Sequence, residues 1–213
     1  GLREDELSKV LPFVERHCRG NLDVASRLYS TDPTLATATA AGVSVQQIAE
    51  LVERVPLLPA AVMEAAGRSL LEQVTAAQSS TLVQALDRSL AREPISGAQI
   101  DLVLALMQKC GAPECLPGIR RALASPRLRE HVMHGAEAAI AVAGPQRRAV
   151  LLELLDSTDH RIVQVALDAE GVGQDKALMR AATNAMYAHG KELGSVGKLF
   201  TSLRSEEHTS ELQ

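Results

Sequence analysis

The sequence has no tryptophan, and aromatic residues make up only 2% of its 213 positions. A core must therefore be built from the small and aliphatic side chains that dominate the 46% apolar fraction. That composition disfavours a β-sandwich, which draws on aromatic and β-branched residues in period two, and favours closely packed helices. Stacking platforms for nucleic-acid bases are missing as well, since Phe13, Tyr29, Tyr187 and Phe200 lie far apart in the chain. Cysteine is scarce. Cys18, Cys110 and Cys115 are an odd, sparse set that excludes a disulfide framework and fits a reducing compartment, so a cytoplasmic location is expected. Neither sign of charge prevails: 22 Lys and Arg stand against 26 Asp and Glu, a formal net charge of -4. This balance argues against a nucleic acid or a membrane surface as partner. No run approaches the roughly 18 apolar residues of a membrane span, and no charged segment leads into an apolar stretch as in a signal peptide. Gly-x-Ser-x-Gly, Walker-type glycine loops and paired-carboxylate motifs are all missing, so no catalytic residue, metal or cofactor is assigned from the sequence.

What the chain does contain is an internal echo. Gly111-Ala-Pro-Glu-Cys-Leu-Pro-Gly-Ile-Arg-Arg-Ala-Leu-Ala-Ser-Pro-Arg-Leu-Arg129 is answered by Gly144-Pro-Gln-Arg-Arg-Ala-Val-Leu-Leu-Glu-Leu-Leu-Asp-Ser-Thr-Asp-His-Arg-Ile162, about 33 residues later. Leu90, Leu123 and Leu155 keep nearly the same period. Units of that length cannot bury an apolar face alone, so neighbours must stack to form a continuous core.

Helix signals recur between Gly, Pro and cap residues. They predict helices over 3–17 with an interruption at Pro12, over 21–29, and from the Asp32-Pro33 cap to about 41. The pattern Ser44-Val-Gln-Gln47 predicts a capping box before the stripe of Ile48, Leu51, Val52 and Val55. Further helices are expected over 59–77, 80–92, 96–110, 128–143, 160–171, 175–188 and 193–203. The predicted core includes Leu104, Leu106, Met107, Ile119, Leu123, Val132, Ile140, Leu151, Leu155, Ile162, Val165 and Ala166.

The phrases Gly111-Ala-Pro…Leu116-Pro…Leu123 and Leu155-Asp156…Asp159…Ile162…Ala166 resemble the HEAT and armadillo-like repeats, in the subtype with Gly-x-Pro between repeats and Asp-x-x-Asp at the inner turn. The resemblance spans Leu90 to Gly171. Val163 stands where many such repeats carry Arg, and Leu123-Ala-Ser-Pro126 lacks the turn Asp. The resemblance implies an all-α fold, a right-handed α-solenoid of stacked antiparallel helix pairs, and a protein or peptide partner bound by a non-catalytic scaffold. Repeats of this subtype also occur in bilin lyases, which leaves a small-ligand enzyme as an alternative.

The last ten residues, Arg204 to Gln213, resemble the translation of a common sequencing adapter and are expected to lie outside the fold. One helical domain over 1–203, belonging to a longer protein, is expected.

Seven arginines recur at related positions of neighbouring repeats: Arg120, Arg121, Arg127, Arg129, Arg147, Arg148 and Arg161. Aligned along one edge they would make a stripe suited to carboxylates or phosphates. Glu114, Glu130, Glu137, Glu153, Asp156 and Asp159 lie among them, so a solvated mixed-charge face is the simpler reading. His131-x-x-His134-x-x-Glu137 would put two imidazoles and a carboxylate near one side of a helix, although zinc helices usually space their histidines by four. Cys110 and Cys115 read as small buried thiols. Asp156, Asp159 and His160 can be drawn as a catalytic cluster, but acidic residues at a turn entering a helix are expected for capping alone.

Overall fold

A computed structural model describes residues 3–190, 192 and 193. Among the described residues all regular structure is helical, in twelve α-helices linked by short turns and 3-10 segments. They are α1 (Glu4–His17), α2 (Leu22–Tyr29), α3 (Pro33–Ala40), α4 (Ile48–Arg54), α5 (Ala60–Gln73) and α6 (Ser79–Ala91), followed by α7 (Gly97–Cys110), α8 (Leu116–Leu123), α9 (Val132–Val142), α10 (Arg147–Leu155), α11 (His160–Leu167) and α12 (Lys176–His189). The predicted helix over 193–203, Phe200 and the segment 204–213 lie, apart from Leu193, outside the described residues. No described helix is long and apolar enough to cross a membrane.

Local chemistry explains most of the boundaries. Asp32 caps α3 by accepting from the amides of Thr34 and Leu35, with Pro33 at the first helical position where its missing N–H is not needed. Ser44 and Gln47 form the expected capping box, Ser44 N donating to Gln47 Oε1 at 3.1 Å. Gly111 ends α7 in the left-handed region, at φ 62°.

The structure departs from the sequence reading at several ends. Pro12 does not interrupt α1, which runs through it. Ser8 and Pro12 are both exposed, so water can take the carbonyl that the proline leaves unpaired. Helix α5 stops at Gln73 instead of Ala77, because Val74 is extended and Thr75 with Gln78 forms a second capping box leading toward α6. A 3-10 segment over Pro126–His131 delays the start of α9, and α11 ends at Leu167, short of Gly171.

The helices pack in two rows. Odd-numbered helices succeed one another, α1 on α3, α3 on α5, α5 on α7, α7 on α9 and α9 on α11. Even-numbered helices do the same, α4 on α6, α6 on α8 and α10 on α12, while α2 with α3, α6 with α7, α8 with α9 and α10 with α11 join the rows. One contiguous apolar cluster fills the space between them from Leu22 to Ala185. The predicted core residues are buried except Leu123 and Val165, which are half-buried. Near the first turns the backbones approach closely: Gly20, at φ 76°, donates to the Thr39 carbonyl, and a Cβ there would meet the Gly42 carbonyl oxygen at 2.7 Å.

Candidate functional site

Four of the seven predicted arginines, Arg120, Arg121, Arg147 and Arg148, lie in the even row, Arg127 and Arg129 precede α9 and Arg161 lies in α11, and nearly all of them are engaged. Arg121 in α8 reaches back to Asp87 in α6 at 3.0 Å, and Arg120 reaches forward to Glu153 in α10 at 2.7 Å. Arg148 in α10 meets Asp175, the cap of α12, at 2.7 Å. Two further pairs extend the pattern toward the N-terminus, Arg88 in α6 with Glu53 in α4 at 3.6 Å and Arg54 in α4 with Asp23 in α2. Five ion pairs thus link the even helices from α2 to α12 in succession. Arg54 holds the Asp23 carboxyl below the usual carboxylate range, and Arg148 does the same for Asp175.

The other arginines act as local ties. Arg127 pairs with Glu93 at 2.7 Å and donates to the carbonyls of Leu90 and Arg92, while Arg147 donates to those of Ile140 and Glu170. Arg161 pairs with Asp159 at 2.7 Å, and that guanidinium lowers the Asp159 carboxyl. Asp159 also caps α11 through the Arg161 amide, which gives the Asp156 to His160 turn a capping role. Arg129 has no ion pair among the described residues and lines a hollow with Thr158, Asp159, His160 and Arg161. The seven positions therefore do not form one free cationic stripe: six have their guanidinium groups tied to carboxylates or carbonyls.

All three cysteines are free. Cys110 and Cys115 are buried, with Cys110 Sγ donating to the Thr75 carbonyl at 3.2 Å. Burial pushes the Cys115 thiol up to about 12, with Cys110 beside it adding to the effect. A thiol so raised is protonated near neutral pH and is a poor nucleophile.

The odd row carries the histidines. His131 immediately precedes α9 without a side-chain cap bond and His134 lies within its first turn, and both rings meet α7. There each ring places its Nδ1 2.7 Å from Oδ1 of Asp101. Glu137, the carboxylate that the sequence spacing put beside them, turns instead to Gln108, whose amide lies 3.5 Å from it. Sequence reasoning missed Asp101 because it belongs to the preceding helix. A signal was present all the same: Asp101 stands 33 residues before His134, one repeat period.

Beside this cluster, α9 and α11 enclose an open groove of about 410 Å³. Met133, Ile140, Ala141, Val165 and Ala169 form its apolar lining, Glu137 and Asp168 add two carboxylates, and Gln164 and Arg147 complete it, the Arg147 guanidinium donating to the Ile140 and Glu170 carbonyls. Met133 is 43% exposed, which is unusual for a long apolar side chain. Comparisons with protein-family models, curated proteins and solved structures find no match to this chain.

Proposed function

We propose that this chain is a segment of a HEAT-like α-solenoid and serves as a non-catalytic scaffold that binds a protein partner along its odd-helix row. The repeat period in the sequence supports the solenoid, together with the succession of odd helices and of even helices side by side. The observation that carries the binding role is the groove between α9 and α11, where an exposed methionine and small apolar residues lie next to Glu137 and Asp168. Its occupant is a peptide segment, extended or helical, with an apolar anchor flanked by lysine or arginine, matching the apolar lining and a rim on which Glu137 and Asp168 outnumber Arg147. The even row suits this role less, because its charges are spent on neighbouring helices.

Selection from a random peptide library tests the reading. Enriched peptides should carry an apolar residue between basic ones, and Met133→Asp and Val165→Glu should each weaken their binding at least about tenfold, an effect of roughly 1.4 kcal/mol. Circular dichroism verifies that the variants remain folded. Peptides without basic flanks, or binding indifferent to both variants while they stay folded, would overturn it.

A further inference from the structure

We propose that Asp101, His131 and His134 form a binding site for a divalent transition metal of the zinc, cobalt or nickel kind. The three donor atoms lie within 4.8 Å of one another, although they come from different elements, Asp101 from α7 and the two imidazoles from the start of α9. Both Nδ1 atoms converge on the same carboxylate oxygen at 2.7 Å, so the rings are aimed at a common point before any ion arrives.

Glycine helps to build the site. A Cβ at Gly97, the first residue of α7, would come within 2.8 Å of His131 Cε1 and 2.9 Å of its Nε2. Its absence makes room for the ring, which is thereby seated with the opposite nitrogen toward Asp101. The His131 side chain is 17% exposed and is held by this packing, whereas His134 at 54% and Asp101 at 40% open the cluster to solvent.

The donor set selects the ligand class. Two imidazole nitrogens and one carboxylate oxygen suit borderline cations, while magnesium and calcium prefer oxygen throughout. Metal–ligand distances of about 2.0–2.1 Å place tetrahedral donors about 3.3 Å apart, so each imidazole nitrogen, now 2.7 Å from the Asp101 oxygen, needs to draw back from it by only about half an ångström. Each neutral imidazole then carries its proton on Nε2 and offers the Nδ1 lone pair, and the carboxylate contributes its negative charge. Water completes the coordination on the exposed side.

The test is titration of the full chain, stripped with a chelator, with Zn(II) by calorimetry and with Co(II) by visible absorption. One high-affinity equivalent is expected, with cobalt bands of low coordination number. His134→Ala and Asp101→Asn should each weaken that site at least about tenfold while circular dichroism stays unchanged. His160 and His189, which both approach Glu192 at 3.8 and 3.7 Å, are the competing histidines, and the double variant His160→Ala/His189→Ala should leave the site intact. Absence of binding to the unaltered chain would overturn the proposal. So would an equivalent that survives both His134→Ala and Asp101→Asn, or one that disappears in the double variant.

Discussion

Leu155 closes α10 with 3% of its surface exposed and belongs to the continuous core. Truncating it removes apolar contacts and leaves a cavity that the two rows can only partly fill. Leu155→Ala is therefore expected to lower the unfolding free energy by about 2–5 kcal/mol, read from urea unfolding as a shifted midpoint with an unchanged slope. A loss under about 1 kcal/mol would mean that neighbouring side chains collapse into the space. Leu123 and Val165 follow a different rule. Leu123 ends α8 and packs over Gly135, and Val165 lines the open groove, so each is only half covered.

At the scale of the element, Asp175 combines two roles. It caps α12 by accepting from the amides of Ala177 and Leu178 at 2.8 and 3.1 Å, and it pairs with Arg148 from α10. These donors favour its charged form, so its folded-state pKa is depressed. The stability it contributes is present above the ordinary aspartate value of about 3.9 and is lost as pH falls through the lower folded value. Asp175→Asn keeps a competent cap while removing the charge. The variant should melt below the unaltered protein at pH 6, and the gap should narrow as pH drops under 4. Melting curves that stay parallel down to pH 3 would show that the charge contributes nothing. Caps of this kind are readable at Asp32-Pro33 and at Ser44 to Gln47, whereas the box of Thr75 and Gln78 straddles the predicted end of the helix over 59–77 and emerges only in the structure.

Across the whole molecule, the ion pairs from Asp23–Arg54 to Arg148–Asp175 brace successive even helices. Each is partly or fully open to solvent, where screening weakens the attraction, so any single removal is small. Their effect is additive along the row because the pairs connect different interfaces. The triple variant Arg54→Gln/Arg121→Gln/Arg148→Gln should lower the melting temperature by several degrees at low ionic strength, and the difference should shrink in about 1 M salt, where screening is strong. A deficit that is undiminished by salt would show that the arginine stems act by packing.

The sequence by itself determined that the described chain is helical, roughly where the helices lie, and most of the core. Caps, helix-breaking residues and apolar spacing act within a few residues, so they can be read along one strand of text. The spacing of the internal echo also separates Asp101 from His134, without saying that they meet. Only the tertiary structure decided that Asp101 replaces Glu137 beside the histidines, and that Arg120 and Arg121, adjacent in sequence, brace opposite neighbours. Those pairings depend on how each helix is rotated against the next. Successive residues on a helix point about 100° apart, so the packing of buried faces between neighbouring helices sets which polar side chains face one another, and no local signal records it.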